Sequence, residues 1–213
     1  MAPTSIIQKD EGTYNTPPYI IELVIQVLGA IDLDPCADDG KHIPAHQHYT
    51  IENNGLRQEW NGHLFINLPQ TRTVLWLGKL QEEIKSGRVT EAIALVAVAI
   101  NTDWLSELLA TQAVCFWRGQ IQFLDASYLP TAPVQQPYVL VYWGLWGVRF
   151  KEVFEEYGVF KPSNDSSTHN RNTNQVNRGK YITINFHDSP FSNMILRLVK
   201  IDYYLIAVKQ VQQ

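Results

Sequence analysis

The stretch that decides the fold is AIALVAVAI at positions 92–100, an uninterrupted apolar run. It is far shorter than the ~20 residues that a membrane-spanning helix needs. With valines at 96 and 98, it is typical of a β-strand buried on both faces. Helical spacing of apolar residues precedes it at 73–86 and follows it at 103–111. A buried strand between two helices predicts an α/β sandwich with a largely parallel sheet.

The same alternation extends in both directions along the chain. A helix is predicted over 20–28, since Pro17 and Pro18 suit a helix start and Gly29 suits a helix end. A polar loop is predicted over 36–48, and 49–52 is a candidate short strand. Further strands are predicted over 30–33, 63–66, 114–117, 120–123 and 138–143.

The two ends of the chain differ from this central part. Residues 1–12 are predicted to be a flexible N-terminus, and residues 161–180, rich in Ser, Asn and Thr, a disordered linker. The main domain is therefore expected to span 13–160. Residues 181–213 form a C-terminal extension with a candidate strand at 181–186 and an apolar stretch at 194–211. The extension could cover a sheet edge or mediate self-association.

Composition limits the class of protein. A net charge of −4 argues against a surface that binds nucleic acid over its whole extent. Two cysteines and no signal-peptide pattern point to the reducing cytoplasm. Cys36, His42, His46 and His48 are residue types that bind zinc, but their spacing matches no zinc pattern, so no metal site is predicted.

Polar residues stand at the ends of two predicted strands. DPCA occupies 34–37 and NLPQ occupies 67–70. Ligands of open parallel sheets bind at the carboxyl ends of strands, where Asp34 or Asn67 could hold a ligand hydroxyl or amine. Taken singly, each tetrapeptide is a weak signal that an ordinary turn or helix cap explains more readily.

Several motifs in register along the chain resemble the phage-type, Dam-type DNA N-6-adenine methyltransferases. That family has a Thr-Pro near the start, a Leu-Asp-Pro-Cys-Ala-like motif and an Asn- or Asp-Pro-Pro-Tyr motif in this order. The resemblance covers about residues 13–160. The matching segments are NTP at 15–17, LDPCA at 33–37, YT at 49–50, NGL at 54–56, WNG at 60–62, FIN at 65–67, TDW at 102–104, RGQIQF at 118–123 and the strand at 138–144.

The resemblance implies a Rossmann-like class I fold, a three-layer sandwich with a mostly parallel sheet, that uses S-adenosylmethionine as cofactor. Double-stranded DNA would be the partner, and the target adenine would leave the duplex to reach the cofactor. It further implies the cytoplasm of a bacterium or of a phage-infected host. The implied catalytic residues are Asn67, Leu68, Pro69 and Gln70; the implied cofactor-binding residues are Thr16, Pro17, Asp34, Pro35 and Ala37; Gln120 would contact DNA.

The chain departs from the family pattern at three positions. Leu68 replaces the first proline, Gln70 replaces the aromatic residue, and Gln120 stands where the family has arginine. Stacking of a base on an aromatic ring contributes roughly 1–3 kcal/mol. Two alternatives to an active DNA methyltransferase therefore stay open. One is a catalytically weakened relative that binds S-adenosylmethionine or DNA, and the other is a small-molecule methyltransferase.

Overall fold

The structure is a computed structural model that describes residues 14–100 and 102–164, together with the backbone of three further strands between 181 and 211. The described chain is a mixture of α-helices and β-strands. It divides into two compact units. The first comprises Met1–Val96 with Ile121–Val134, and the second comprises Ala97–Gln120 with Gln135–Gln213.

The first unit is built on parallel strands. In chain order it contains helix α1 (Pro18–Leu28), strands β1 (Ile31–Asp34), β2 (Ala45–His48) and β3 (Gly62–Asn67), helix α2 (Thr73–Lys85) and strand β4 (Val89–Ala97) up to Val96. The strands lie in the order β2-β1-β3-β4, and all three pairings are parallel. Single turns of 3-10 helix cover Gly55–Arg57 and Gln70–Arg72.

The packing of this unit follows from its apolar patterns. α1 buries Ile20, Ile21, Leu23, Val24, Val27 and Leu28 along one side and contacts β3. β4 is buried at every position except Thr90, as expected for a strand covered on both faces. Asp34 at the end of β1 and Ile66 next to the end of β3 are buried and therefore have little freedom to move.

The second unit contains helix α3 (Asp103–Thr111), strands β5 (Ala113–Trp117) and β6 (Tyr138–Trp143), helix α4 (Gly147–Phe154) and strand β7 (Gly158–Lys161). β5 lies between β6 and β7 and is antiparallel to both. Strands β8 (Tyr181–Asn185), β9 (Met194–Ile201) and β10 (Tyr204–Val211) form an antiparallel sheet in the order β10-β9-β8.

The predicted elements over 20–28, 30–33, 63–66, 73–86, 92–100, 103–111, 114–117 and 138–143 are confirmed, with small shifts at their ends. The prediction for 36–52 was wrong, because the strand lies at Ala45–His48, inside the expected loop, and 49–52 is not a strand. β2 is an edge strand whose His46 and Gln47 are exposed. It therefore lacks the apolar pattern that marks a buried strand.

The prediction of a strand over 120–123 was also wrong. Ile121 and Phe123 are buried, but the backbone there forms only isolated bridges, from Leu124 to Asn15 and to Pro130. α4 and β7 had not been predicted. The strand predicted over 181–186 is confirmed for 181–185.

Several predictions concern segments outside the described residues, namely the N-terminus at 1–12 and most of the linker, 165–180. Lys161, the first residue assigned to that linker, is the last residue of β7. Among the helices of the described part, none is long and apolar enough to cross a membrane. The domain boundaries, the Rossmann class and the three-layer arrangement stay predictions.

Candidate functional site

The candidate site lies at the carboxyl ends of β1 and β3. Asp34 is the last residue of β1 and Asn67 the last residue of β3. The strands are parallel, with Leu33 opposite Leu64, so both side chains stand at the same edge of the sheet. A cavity of about 320 Å³ adjoins them, a volume at the lower end of the range for small-molecule sites.

The cavity brings together most of the residues singled out from the sequence. Asp34 and Asn67 line it, and so do Thr16, Pro35, Ala37 and Pro69. Pro17, Leu68 and Gln70 are not part of its lining. Pro17 caps the start of α1 instead. Gln120 belongs to the second unit and is half-buried in the loop after β5.

Asp34 is a buried acid, with 4% of its surface exposed. Its carboxylate accepts a hydrogen bond from the Cys36 amide at 3.1 Å. Burial raises the pKa of Asp34 to about 7, with a further rise from Asp38 and an opposing effect of the Cys36 amide. Close to neutral pH, a cationic or hydrogen-bond-donating ligand would favour the ionised form of Asp34.

Thr16 supplies a second polar group of the lining. It is 2% exposed, and within the described part of the chain its Oγ1 has no hydrogen-bond partner. A buried hydroxyl without a partner costs roughly 1–3 kcal/mol. A bound ligand with a suitable donor or acceptor would recover that cost.

The loop after β1 closes one side of the cavity. Its start is held by the Ala37 amide, which donates to the Tyr49 carbonyl at 2.9 Å. Further along, His42 Nδ1 lies 2.6 Å from the Asp38 carboxylate, and the His42 ring stacks on Tyr128 with centroids 4.0 Å apart. Asp38 and His42 both line the cavity. The loop is therefore tied down at both of its ends.

The histidines considered as zinc ligands have separate partners. His42 pairs with Asp38, His46 with Asp32 at 3.1 Å, and His48 hydrogen-bonds to the Ile43 carbonyl at 2.7 Å. Among the described residues, no group of three or more His, Cys, Asp or Glu side chains is arranged to hold a metal ion.

A close backbone contact supports the floor of the site. A Cβ atom added to Gly55 would stand 2.0 Å from the Pro35 carbonyl oxygen, so only glycine fits there. The Gly55 carbonyl accepts a hydrogen bond from Trp60 Nε1 at 2.8 Å, away from solvent. Trp60 in turn stacks on Trp76, which lines the cavity. The loop 34–37 is thus positioned by residues from two later segments.

The turn over 67–70 is held by separate contacts of its first two residues. Asn67 donates from Nδ2 to the Tyr14 carbonyl at 2.8 Å. The Leu68 amide, which a proline would lack, donates to the Leu95 carbonyl at 3.0 Å, and its side chain is buried. Pro69 starts the 3-10 turn. Leu68 therefore fixes the backbone by a hydrogen bond and burial, in place of a proline ring.

Other lining residues had no role assigned from the sequence. They include Tyr14, Asn15, Tyr49, Arg72 and Trp76. Asn15 and Tyr49 occur in segments that carry the family resemblance, which was the only signal for them. Tyr14 reaches the site because it stacks on Phe123, 109 positions along the chain, at 5.5 Å. No local pattern reveals a contact over that separation.

Comparison with known proteins assigns the chain to a family. The family model for DNA N-6-adenine-methyltransferase (Dam) matches residues 4–147. The match covers more than half of the chain, which therefore belongs to this family of DNA adenine methyltransferases. Neither the comparison with curated proteins nor that with solved structures gave a match.

The bond from Trp60 to Gly55 yields a test of how the site is supported. Trp60→Phe keeps an aromatic ring against Trp76 but removes the indole donor and part of a fully buried side chain, so that the Gly55 carbonyl keeps only its bond from the Gln58 amide at 3.2 Å. We expect the free energy of unfolding to fall by roughly 1–3 kcal/mol, measured by urea denaturation. Trp146→Phe is the matched control, because Trp146 is 62% exposed. Equal stability of the two variants would contradict the support assigned to Trp60.

Proposed function

We propose that the protein is a site-specific DNA adenine N6-methyltransferase that binds S-adenosylmethionine in the cavity beside Asp34 and Asn67. The observation that supports this most strongly is the convergence of two separate strand ends. The cofactor residues implied by the resemblance lie mainly at the end of β1 and the implied catalytic residues at the end of β3. Members of both sets line one cavity, namely Thr16, Asp34, Pro35 and Ala37 from the first and Asn67 and Pro69 from the second.

On the cofactor side, Asp34 is the principal polar group. Its buried carboxylate suits a hydroxyl or an amine of S-adenosylmethionine, and Thr16 Oγ1 offers a second hydrogen bond. Pro35 and Ala37 hold the loop that carries Asp34, and Pro17 fixes the start of α1. When bound, the cofactor supplies a sulfonium methyl group, whose leaving group needs no further activation.

On the adenine side, Asn67 is the candidate acceptor of the amine. Because its Nδ2 already donates to the Tyr14 carbonyl, Oδ1 is the atom oriented to accept from an exocyclic amine. The Leu68 carbonyl would be the second acceptor, and its peptide is held in place by the bond to Leu95. Two acceptors on the amine align its nitrogen for transfer and make the nitrogen a better nucleophile.

A weakened relative that binds S-adenosylmethionine or DNA is the second candidate. It is favoured by Gln70, which is exposed and outside the cavity lining, where the family has an aromatic residue. The remaining parts of the proposal are double-stranded DNA as partner, Gln120 as a DNA contact, and action in the cytoplasm of a bacterium or phage-infected cell. The C-terminal strands are a candidate surface for self-association.

Replacing Asp34 with asparagine should change the stability of the fold and the binding of the cofactor in opposite directions. With its pKa near 7, Asp34 at pH 8 is charged in both the folded and the unfolded state, and the folded protein bears the cost of the buried charge. Asp34→Asn should therefore raise the melting temperature of the ligand-free protein at pH 8. The difference should shrink as the pH falls below 7, because folded Asp34 then becomes protonated.

The same variant should lose the rise in melting temperature that S-adenosylmethionine causes in the wild type. Thermal unfolding with and without S-adenosylmethionine, at pH 6 and pH 8, measures both effects. Asp38→Asn is a useful comparison, since Asp38 also lines the cavity but lies outside the strand. A less stable Asp34→Asn variant that still responds fully to the cofactor would refute the role of Asp34.

Transfer itself is tested with tritiated S-adenosylmethionine and unmethylated plasmid DNA. We expect the wild type to label adenine N6 and Asn67→Ala to be at least about a hundredfold slower, the usual scale for removing one aligned hydrogen-bonding group. Asn61→Ala is the control, because Asn61 is exposed and lies before β3. Cofactor binding without any transfer by the wild type would instead identify the weakened relative.

A further inference from the structure

Arg72 stands out among the charged residues of the cavity. Among the described residues that line the cavity there are three carboxylates, Asp34, Asp38 and Asp39, together with His42, and Arg72 is the one permanently charged cation. The Arg72 side chain is exposed, and the structure gives it no hydrogen bond or ion pair with any described residue. Arg72 therefore stands at the rim of the cavity with its guanidinium available to a ligand.

The backbone that carries Arg72 is held by hydrogen bonds. Arg72 ends the 3-10 turn Gln70–Arg72, which starts from Pro69. Thr73 Oγ1 closes this turn by donating to the Pro69 carbonyl at 3.0 Å and to the Gln70 carbonyl at 3.1 Å. Arg72 thus lies on a hydrogen-bonded turn that follows closely after Asn67, the candidate amine acceptor at the end of β3.

The surroundings favour a ligand that extends beyond the cavity. Val74 and Leu75, which follow on the first turn of α2, are 63% and 58% exposed. Neither side chain lines the cavity, so a cofactor enclosed in it would leave both uncovered, whereas a larger ligand that extends past Arg72 could cover them. A planar guanidinium can pack on the face of a base as an aromatic ring does.

We infer that Arg72 packs its guanidinium against the target adenine at the rim of the cavity, a contact that Gln70 cannot make. The inference rests on the proposed function, and it names the residue that holds the base. An extrahelical base needs such a contact, because it has lost its neighbours in the duplex. Arg72 is a positioning residue in this account and takes no part in the transfer of the methyl group.

Binding of adenine bases is measured first, without relying on catalysis. The probe is a fluorescein-labelled 12-mer of deoxyadenylate, and its anisotropy is followed in the presence of S-adenosylhomocysteine. We expect Arg72→Ala and Arg72→Lys both to weaken binding by roughly fivefold to a hundredfold, and Gln70→Tyr to restore it in the Arg72→Lys background. Lys85→Ala, at the exposed far end of α2, should match the wild type.

An Arg72→Lys variant that binds as tightly as the wild type would overturn the inference, because lysine keeps the positive charge but has no planar guanidinium to pack on a base. In methyl transfer, Arg72→Ala should raise the KM for DNA and leave the KM for S-adenosylmethionine unchanged. If Arg72→Ala instead raised the KM for S-adenosylmethionine and left the KM for DNA unchanged, Arg72 would be assigned to the cofactor carboxylate. That result would also overturn the inference. If the wild-type protein binds the oligonucleotide but transfers no methyl group, the proposed methyltransferase activity is refuted. The binding affinities of the Arg72 variants would still show whether Arg72 contacts the base.

Discussion

The parallel pairing of β1 with β3 is the constraint on which the site depends. Because the strands run in the same direction with Leu33 opposite Leu64, their carboxyl ends meet, and residues 33 positions apart in sequence come to one edge of the sheet. β4 continues the parallel arrangement on the other side of β3, and its Leu95 carbonyl fixes the peptide of Leu68. The sheet thus sets both the place of the cavity and the orientation of the turn beside it.

The departures from the family pattern have different physical consequences. At position 68 the loss of a proline is offset, since leucine contributes an amide hydrogen bond and a buried side chain. At position 70 the exposed glutamine supplies no ring, and in our inference the planar guanidinium of Arg72, two residues further on, takes that role. The turn that we propose to be catalytic is therefore held at Leu68 without a proline, while the side chain that the family uses to contact the base is absent.

The strand ends could be predicted from the sequence, because a buried parallel strand followed by a polar residue is a local pattern. Asp34, Asn67 and the neighbouring prolines were found in this way. β2 was missed because an edge strand made of Ala, His and Gln has no apolar alternation. The contacts of Gly55 with Pro35 and of Tyr14 with Asn67 join distant segments, and no sequence spacing encodes them.

If Asp34 holds the cofactor in its ionised form, as we propose, its burial links binding to proton release, and this gives the most direct test of the central claim that the cavity binds S-adenosylmethionine. Isothermal titration in two buffers of different ionisation enthalpy counts the protons released on binding. With the pKa of Asp34 at about 7, the account predicts nearly one proton released per ligand at pH 6, about half at pH 7, and almost none from Asp34 at pH 8, with tighter binding at the higher pH. Absence of binding, or binding with no proton release at pH 6, would contradict it.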